Sequence, residues 1–487
     1  MLLGMSENLL ITADWVLPVS SAALRDGAVE VRDGRIHSVG PAAELLGESE
    51  AERRIDLGAA ALLPGLVNTH AHLELTALRG FLEEPDFFGW IRRLTETKYE
   101  TLDEEDLLCS ARLGVLEAVR AGVTTIGDIA DAGVSLSALS EGGLRAVLYQ
   151  EVFGPDPAQA EESLLGLLDK LESHQAAAAE RVTIGISPHA PYTVSGRLFK
   201  LLAELALKEG YPVSVHAAES AAEGEFVRMA QGPFAEYLRS RDIAVEPLGV
   251  STITYFDELG LLATAPLLAH CIDCSTDDLR RVAASGSSIA HCPKSNAKLG
   301  HGVAPLGAML EAGARVGLGS DGVVCNNTCD LLEEARFAAL LQRTGRESVC
   351  GEAGDFLRLM TLGGAEALGL ADSIGSLEAG KLADLYALAI EMDRVRFGSI
   401  TFLAAGERIR LTGEYKFNGR TRYKFDDADR LGRTNSAGCS HEWWHQFKED
   451  KKNENVRAHV HMKMNEIAYF MKRLDNTKEV NGRSILE

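Results

Sequence analysis

The chain alternates short apolar runs with longer segments in which apolar residues recur at every third or fourth position. Eight of the short runs are rich in β-branched and other apolar residues, as buried strands are. They cover residues 61–70, 122–129, 144–154, 181–190, 212–219, 266–271, 287–293 and 315–322. The segments between them, such as residues 103–122, have helical periodicity and end on glycine. The alternation predicts eight parallel strands joined by helices.

Eight such strands within about 260 residues match a TIM barrel, whose chemistry lies at the carboxyl ends of the strands. Polar side chains stand at six of these ends. They are His70 and His72 at the first strand, His189 at the fourth, His216 and Glu219 at the fifth, His270 at the sixth, His291 at the seventh and Asp321 at the eighth. The sequence therefore predicts an α/β protein with a (β/α)8 TIM barrel over residues 61–370 and a site at these strand ends.

The segments on either side of the barrel predict a small flanking β-sandwich domain. Residues 1–60 contain two strand patterns, and Asp33-Gly34 in the second is a hairpin signal. Residues 371–400 are expected to return to this domain. Residues 401–487 carry seventeen basic and thirteen acidic residues, unlike the acidic remainder, and Asn418-Gly419 predicts one hairpin there. We assign this atypical tail no function.

Composition narrows the class of partner. The formal net charge of −22 repels phosphate backbones and anionic lipid surfaces, so we expect neither nucleic acid nor membrane as a partner. The sequence contains no run of about 20 apolar residues and no secretion signal at its start. We therefore expect a cytoplasmic protein that acts on a small molecule, and self-association into a homo-oligomer is left open.

The spacing of His70 and His72 predicts a metal site. Residues two apart in a strand point to the same side, so both imidazoles can reach one ion. His216 and Asp321 supply further ligands from the ends of two other strands. Three imidazoles and a carboxylate suit one divalent ion, Zn²⁺ first and Fe²⁺ as the alternative, with one position open to water.

Two further residues, Glu219 and His270, could each have either a catalytic or a purely structural role. Glu219 follows His216 by three residues, where a carboxylate could do general acid/base work, or it is an ordinary loop glutamate. His270 ends its strand, where it could orient the attacking water, or it is a hydrogen-bonded core histidine.

Several motifs together resemble those of the amidohydrolase superfamily. They are "PGLVNTHAHLELTALRG", "SPHAPY", "VHAAES", "LAHC", "AHCPKSNAKLGHGVAP" and "GLGSDG". The most similar branch holds cytosine deaminases, S-adenosylhomocysteine/methylthioadenosine deaminases and triazine chlorohydrolases, and the resemblance runs from about residue 8 to residue 385.

This resemblance implies roles for individual residues. It implies a single metal ligated by His70, His72, His216 and Asp321, because no lysine ends the fourth strand, where binuclear relatives carry one. It implies that Glu219 is the proton shuttle, that His270 lies beside the hydrolytic water and that Asp321 accepts a proton from this water.

The resemblance also implies substrate contacts. His189 in "SPHAPY" would contact the substrate, Arg145 matches an arginine near the pocket, and Glu74 is either a pocket residue or a structural carboxylate. Nucleoside deaminases of this branch carry a ribose-binding glutamate shortly after the tryptophan of the first loop. Counting on from Trp90, this chain has Tyr99 instead, with Glu96 and Glu100 nearby.

The implied activity is that of a hydrolytic deaminase for a 6-aminopurine nucleoside. The segments "HLELTALRG", "FFGWIRRL" and "YQEVFGP" are similar to those of 6-aminodeoxyfutalosine deaminases, which places that nucleoside first and methylthioadenosine and S-adenosylhomocysteine next. The alternative is a related hydrolase of a chlorotriazine or a cyclic amide with the same metal ligands. A catalytically silent binding protein is disfavoured, because Glu219 and His270 are both retained.

Three other patterns carry less weight. "HEWWH" at 441–445 fits the HExxH zinc motif, but its surroundings are polar and no third ligand is evident. "CIDC" and "CNNTC" could form a thiolate zinc site, although their spacing favours buried thiols. "GLGSDG" fits GxGxxG but lacks the following βαβ unit of a dinucleotide site.

Overall fold

The structure is a computed structural model that describes residues 8–83, 86–344 and 351–389, together with the backbone of four short strands beyond them. The strands are β1 (Leu9–Val16), β2 (Leu24–Arg32), β3 (Arg35–Pro41), β4 (Arg53–Asp56), β5 (Ala60–Pro64), β6 (Leu66–Ala71), β7 (Val123–Ala130), β8 (Arg145–Val152), β9 (Val182–Pro188), β10 (Ser214–Ala217), β11 (Leu267–His270), β12 (Ser288–His291), β13 (Arg315–Leu318), β14 (Leu385–Ala389), β15 (Ser399–Ala405), β16 (Arg408–Thr412), β17 (Lys416–Phe417) and β18 (Arg420–Thr421).

The helices of the described residues follow the same order. They are α1 (Ala42–Glu48), α2 (Phe87–Thr101), α3 (Glu104–Arg120), α4 (Ser135–Gly142), α5 (Ala160–Ala177), α6 (Gly196–Glu209), α7 (Ala221–Met229), α8 (Gly232–Arg239), α9 (Thr252–Glu258), α10 (Thr276–Ala284), α11 (Pro293–Lys298), α12 (Leu306–Glu311), α13 (Val323–Asn326), α14 (Leu331–Leu341), α15 (Ala353–Leu359) and α16 (Leu362–Ala367), with 3₁₀ helices at Leu73–Leu78, Pro157–Gln159 and Leu261–Thr264. None of the helices in this part of the chain has the length and apolar character needed to cross a membrane.

The parallel strands form two sheets of four, β6-β7-β8-β9 and β10-β11-β12-β13. Isolated parallel bridges join the edges of the two sheets, Ile186 with Val213 on one side and Ala71 with Asp321 on the other. The eight predicted strands are therefore confirmed as eight parallel strands of an α/β fold. The polar residues that the sequence singled out lie at or just beyond the carboxyl ends of these strands.

The first predicted strand is wrong in one respect, because residues 61–70 belong to two strands rather than one. β5 ends at Pro64, which has no N–H to donate, and β6 begins at Leu66 in a different sheet. Gly65 makes the step between them, and a Cβ at this position would lie 2.1 Å from the Thr124 hydroxyl oxygen. The Pro-Gly pair therefore moves the chain from the flanking sheet into the parallel one.

The flanking strands form one eight-stranded sheet with the path β16-β15-β14-β5-β1-β2-β3 and with β4 paired to β1. Its hairpin at Asp33-Gly34 is confirmed, since β2 and β3 pair antiparallel on either side of it. The described strands lie in a single sheet, so the predicted sandwich and the predicted domain limits stay predictions. The backbone of β15 and β16 continues this sheet beyond residue 401, where the composition changes.

Two predictions concern the tail. The hairpin around Asn418-Gly419 is confirmed by the antiparallel pairing of β17 with β18. The "HEWWH" segment lies outside the described residues.

The main hydrophobic core lies where the parallel strands meet the helices. Buried strand residues such as Leu66, Ile126 and Ile184 belong to the same cluster as the helix residues Val115 and Leu202. Every residue of β6 and β7 is buried, so both faces of these strands are covered. The strand ends are therefore held in a rigid frame, which fixes the polar side chains that they carry.

Candidate metal centre and active site

His70 and His72 approach one carboxylate from the end of β6. Their ring centroids lie 5.0 Å apart, and Asp321 Oδ1 lies 3.4 Å from His70 Nε2 and 3.5 Å from His72 Nε2. The backbone N–H of Asp321 donates to the carbonyl of His70 at 2.8 Å, which keeps the two strand ends in register. A Cβ at Gly319 would lie 2.8 Å from the Cβ of His70, so only glycine lets the Asp321 strand pass this close.

His216 and His270 complete a ring of imidazoles around this point. His216 lies at the end of β10, with its ring centroid 5.0 Å from that of His70 and 5.6 Å from that of His270. His216 Nδ1 donates to the carbonyl of His189 at 2.9 Å, and His270 Nδ1 donates to Asn296 Oδ1 at 2.9 Å. In these tautomers the Nε2 lone pair of each ring is free for a ligand or a water.

The protonation of these groups suits a metal site. Burial is the main reason why the pKa of His72 falls to about 3 and that of His270 to about 4, so both rings are neutral at pH 7. Burial by itself raises the pKa of Asp321, but the contact with His70 and the attraction of the neighbouring imidazoles in their protonated form hold it well below its ordinary value. Neutral imidazoles and an ionised carboxylate are the forms in which these groups bind a cation.

The donor atoms fit a divalent metal ion. The ligand atoms of His70, His72 and Asp321 lie within 4.8 Å of one another, as do those of His70, His216 and His270. Both ring nitrogens of His70 and Nε2 of His270 are buried without a hydrogen-bond partner. Buried polar atoms of this kind almost always have a partner, and an ion at this point would supply one. The structure thus brings together the four predicted ligands and adds His270 to the same cluster.

Glu219 lies between two imidazoles. Its Oε1 is 3.6 Å from His270 Nε2 and 3.6 Å from His301 Nε2. Burial, and then the charge of Asp321, raise the pKa of Glu219 well above its ordinary value, so its carboxyl can hold a proton near neutral pH. This position beside the histidine cluster is the one expected of a group that exchanges protons with a substrate.

The loop that carries Glu219 is fixed by a second glutamate. Glu223 Oε1 accepts from the backbone N–H of Ala218 at 2.7 Å and from the Thr252 hydroxyl at 2.7 Å, and Glu223 Oε2 accepts from the N–H of Glu219 at 2.9 Å. Ala218 has a φ of +49°, which a non-glycine residue rarely adopts. The buried carboxylate therefore holds a tight turn that places Glu219 at the site.

The segment after β12 supports the site at three points. Ser295 donates from its hydroxyl to Asp321 Oδ2 at 2.6 Å, and Asn296 accepts from His270. The backbone carbonyl of Asn296 also accepts from the N–H of His301 at 2.8 Å. The roles of Ser295, Asn296 and His301 were not predicted, although all three lie in the motif "AHCPKSNAKLGHGVAP". The polar run that follows a strand in this motif was the signal that could have pointed to them.

His189 lies on the other side of His216. Their ring centroids are 4.8 Å apart, and His189 Nδ1 shares a hydrogen bond of 2.7 Å with the Thr193 hydroxyl. His189 Nε2 lies 3.9 Å from Glu151 Oε1, and the ligand atoms of Glu151, His189 and His216 all lie within 4.8 Å of one another. Glu151 was also missed, although it stands in the quoted "YQEVFGP" near the carboxyl end of its strand.

Two residues considered for substrate contact, Arg145 and Glu74, make contacts within the protein instead. Arg145 is the first residue of β8, at the end away from the histidines, and its Nε donates to Asp384 Oδ2 at 3.1 Å. A strand motif shows that a residue lies in the strand but can mislead about which end faces the pocket. Glu74 is buried, and its two oxygens accept from the backbone N–H groups of Ala132 and Val134 at 3.0 Å each, which favours the structural role left open for it.

Tyr99 does not lie in the histidine cluster. Its hydroxyl donates to Asp131 Oδ2, which also accepts from Lys98 Nζ at 2.9 Å, and 61% of Tyr99 is exposed. An aromatic ring packs instead against His301, which neighbours Glu219. The Phe87 ring contacts the His301 ring edge to face, with 4.4 Å between the two centroids.

The cysteines of the described residues take no part in a candidate metal group. Cys271, Cys325 and Cys329 are buried, and the groups of possible metal ligands found among these residues contain histidine and carboxylate alone. The interpretation of "CIDC" and "CNNTC" as buried thiols thus holds for three of their four cysteines, since Cys274 is partly exposed.

Comparison with known proteins agrees with the family resemblance seen in the sequence motifs. The sequence profile of the amidohydrolase family matches residues 61–410. The chain is 36% identical over 385 residues to a 5-methylthioadenosine/S-adenosylhomocysteine deaminase from Moorella thermoacetica, covering 78% of this chain and 85% of the relative.

Two solved structures are similar in fold. A zinc-bound adenosine deaminase from Xanthomonas campestris has a TM-score of 0.73 at 26% identity and covers 93% of this chain and 99% of its own. The Helicobacter pylori aminofutalosine deaminase in complex with methylthio-coformycin has a TM-score of 0.70 at 22% identity, with 82% and 99% covered, and supports the fold alone. The profile and the Moorella relative confirm the resemblance seen in the sequence: this chain belongs to the amidohydrolase family.

Proposed function

We propose that this protein is a metal-dependent hydrolytic deaminase that converts a 6-aminopurine nucleoside to the 6-oxo product and ammonia. The observation that carries the proposal is the position of the Glu219 carboxyl, which lies between two buried imidazoles and beside the cluster of His70, His72, His216 and Asp321. The name of the Moorella relative agrees with the activity predicted from the sequence.

The proposal includes a closed (β/α)8 barrel as the frame of the site. Two observations support closure: the eight parallel strands lie in two sheets of four, and a parallel bridge connects the sheets at each edge. Family membership supports the same architecture. In such a barrel the ends of β6, β10, β11 and β13 converge on one mouth.

The proposed cofactor is one divalent ion, Zn²⁺ first and Fe²⁺ as the alternative. His70, His72, His216 and Asp321 would hold it, and the zinc in the Xanthomonas structure supports this choice of metal. When bound, such an ion lowers the pKa of water to roughly 7 and so supplies a nucleophile at neutral pH.

The protein side chains would move the protons. One water adds to C6 of the purine, a proton reaches N1, and the C6–N6 bond breaks as ammonia leaves. Glu219 holds the proton that goes to N1 and takes up the next one for N6, because its pKa is raised by burial. His270 presents its unpartnered Nε2 to the water, and Asp321 accepts the remaining proton of this water, which passes back to Glu219 before the next turnover.

The order of substrates follows from the sequence motifs. We place 6-aminodeoxyfutalosine first and methylthioadenosine and S-adenosylhomocysteine next, and the name of the Moorella relative supports the latter pair. His189 would contact the substrate, because its ring lies beside His216 at the edge of the cluster. The active protein is proposed to need no nucleic acid or membrane partner.

The test is a substrate panel with purified, zinc-loaded protein. Ammonia release and the absorbance change from adenine to hypoxanthine should accompany at least one of the three nucleosides. Protein with Glu219→Gln serves as the control for contaminating deaminase. If all three nucleosides are untouched while a chlorotriazine or a cyclic amide is hydrolysed, the deaminase proposal fails and the alternative hydrolase replaces it.

A further inference from the structure

Glu151 is a buried carboxyl group that has no hydrogen-bond donor among the described residues. It lies one residue before the end of β8, and 8% of its surface is exposed. Its Oε1 is buried without a partner. A buried carboxyl group in this situation costs free energy unless something outside the protein satisfies it.

The neighbouring carboxylates differ from Glu151 because they are already satisfied. Asp131 accepts from the Lys98 ammonium and the Tyr99 hydroxyl, and Glu74 accepts from two backbone N–H groups. Lys98 Nζ approaches Asp131 at 2.9 Å and Glu74 at 3.8 Å, so its donors are directed to these two carboxylates. Of the three carboxyl groups of Glu74, Asp131 and Glu151, only that of Glu151 therefore lacks a hydrogen-bond donor among the described residues.

The position of Glu151 puts it within reach of a molecule bound at the histidine cluster. Its Oε1 lies 3.9 Å from His189 Nε2, and His216 contributes a ring nitrogen within 4.8 Å of both groups. Phe153, two residues further along the chain, has its ring centroid 5.1 Å from that of His189 and is 38% exposed. The edge of the site next to Glu151 therefore leads toward solvent.

We propose that Glu151 binds the ribose hydroxyl groups of the nucleoside. The inference rests on the proposed function and assigns it a sugar-binding residue. Two adjacent hydroxyls provide two donors for the two oxygens of one carboxyl group. A cationic substituent fits less well, because the Lys98 ammonium lies in the same group of side chains. Tyr99 is engaged with Asp131, Glu96 accepts from Arg92, and Glu100 is exposed. Glu151, by contrast, is buried and lies 3.9 Å from His189.

The experiment compares two substrates in two variants and one control. The substrates are 5′-methylthioadenosine and its 2′,3′-dideoxy counterpart, the variants are Glu151→Ala and Glu151→Gln, and the control is Glu162→Ala on the exposed face of α5. In Glu151→Ala, kcat/KM for the ribonucleoside should fall about 10- to 100-fold, mainly through KM, as expected when two hydrogen bonds to one buried carboxyl group are lost.

The dideoxy substrate distinguishes a sugar contact from a structural role. Its kcat/KM should be the same in wild type, Glu151→Ala and the control, because it offers no hydroxyls to this carboxyl. Glu151→Gln keeps an acceptor oxygen and a similar volume, so its loss on the ribonucleoside should be smaller; this variant keeps the comparison possible if Glu151→Ala folds poorly.

Three outcomes would overturn the inference. Equal losses on both substrates would make Glu151 structural, and a loss of bound metal in Glu151→Ala would make it a metal ligand. If wild-type protein turns over neither substrate and also leaves the other two nucleosides of the panel untouched, the proposed function is refuted together with the inference, whereas turnover with equal losses refutes the inference alone.

Discussion

Replacing Glu223 with glutamine should impair catalysis at a distance from the reacting atoms. The side chain keeps its volume, but one acceptor oxygen becomes an amide group that can only donate. The amide is best tolerated at the Oε2 position, because Oε1 accepts two hydrogen bonds and Oε2 accepts one. The bond that is lost is then the one from the backbone N–H of Glu219.

The expected magnitudes follow from this geometry. Leaving one buried N–H unsatisfied costs about 1–3 kcal/mol, which should appear as a lower free energy of unfolding in urea. A displacement of Glu219 by about 1 Å can cost on the order of 10²-fold in rate, so we expect kcat to fall while KM changes little. The assay is steady-state deamination by zinc-loaded protein, with metal content measured on the same sample.

The substitution Thr252→Val distinguishes a loss of protein stability from a displacement of Glu219. Thr252→Val removes the third donor to Glu223 but leaves both backbone bonds in place, so it should cost about 1 kcal/mol of stability and keep kcat within about twofold of wild type. A Glu223→Gln protein that loses stability yet retains wild-type kcat would refute the reasoning, since the turn at Ala218 would then not determine where Glu219 lies.

Other changes give sharper tests of individual roles. Asp321→Asn should lower metal content and abolish turnover, and two tightly bound ions per wild-type chain would contradict a single site. Glu219→Gln should keep the metal but lose about 10²- to 10⁴-fold in kcat, the usual contribution of positioned proton transfer, and wild-type activity would exclude it as the shuttle. His301→Asn should retain metal and lower kcat about tenfold, because one of the two imidazoles that flank Glu219 is gone; an unchanged pH profile and kcat would remove His301 from the site. Changing His441 and His445 together to alanine should leave deamination and metal content as they are, and loss of both would make "HEWWH" part of the active protein.

Much of the fold could be predicted, because parallel strands buried on both faces are continuous apolar runs. The predicted segments at 122–129 and 181–190 differ from Val123–Ala130 and Val182–Pro188 by one or two residues at each end. The break at Pro64 and Gly65 was missed because apolar residues lie on both sides of it, and hydrophobicity does not report which sheet a strand joins.

The candidate site could be predicted where residues stand at strand ends and not where they depend on packing. The proximity of His70, His72, His216 and Asp321 could be predicted because each of them stands at or just beyond the carboxyl end of a parallel strand. His301 was missed because its approach to Glu219 depends on the path of an irregular loop after α11, which has no periodic signal.

The pairing of β5 with β14 has a consequence for how the protein is synthesised. Leu62 lies opposite Ala387, and all eight parallel strands lie between these two residues in the chain. During translation one edge of β5 therefore stays unpaired until all eight parallel strands have emerged from the ribosome. An exposed edge is open to pairing with another chain, and such long-range contacts form late. We expect nascent or truncated chains that end before β14 to aggregate, so the yield of active protein depends on how quickly the last part of the family domain is made.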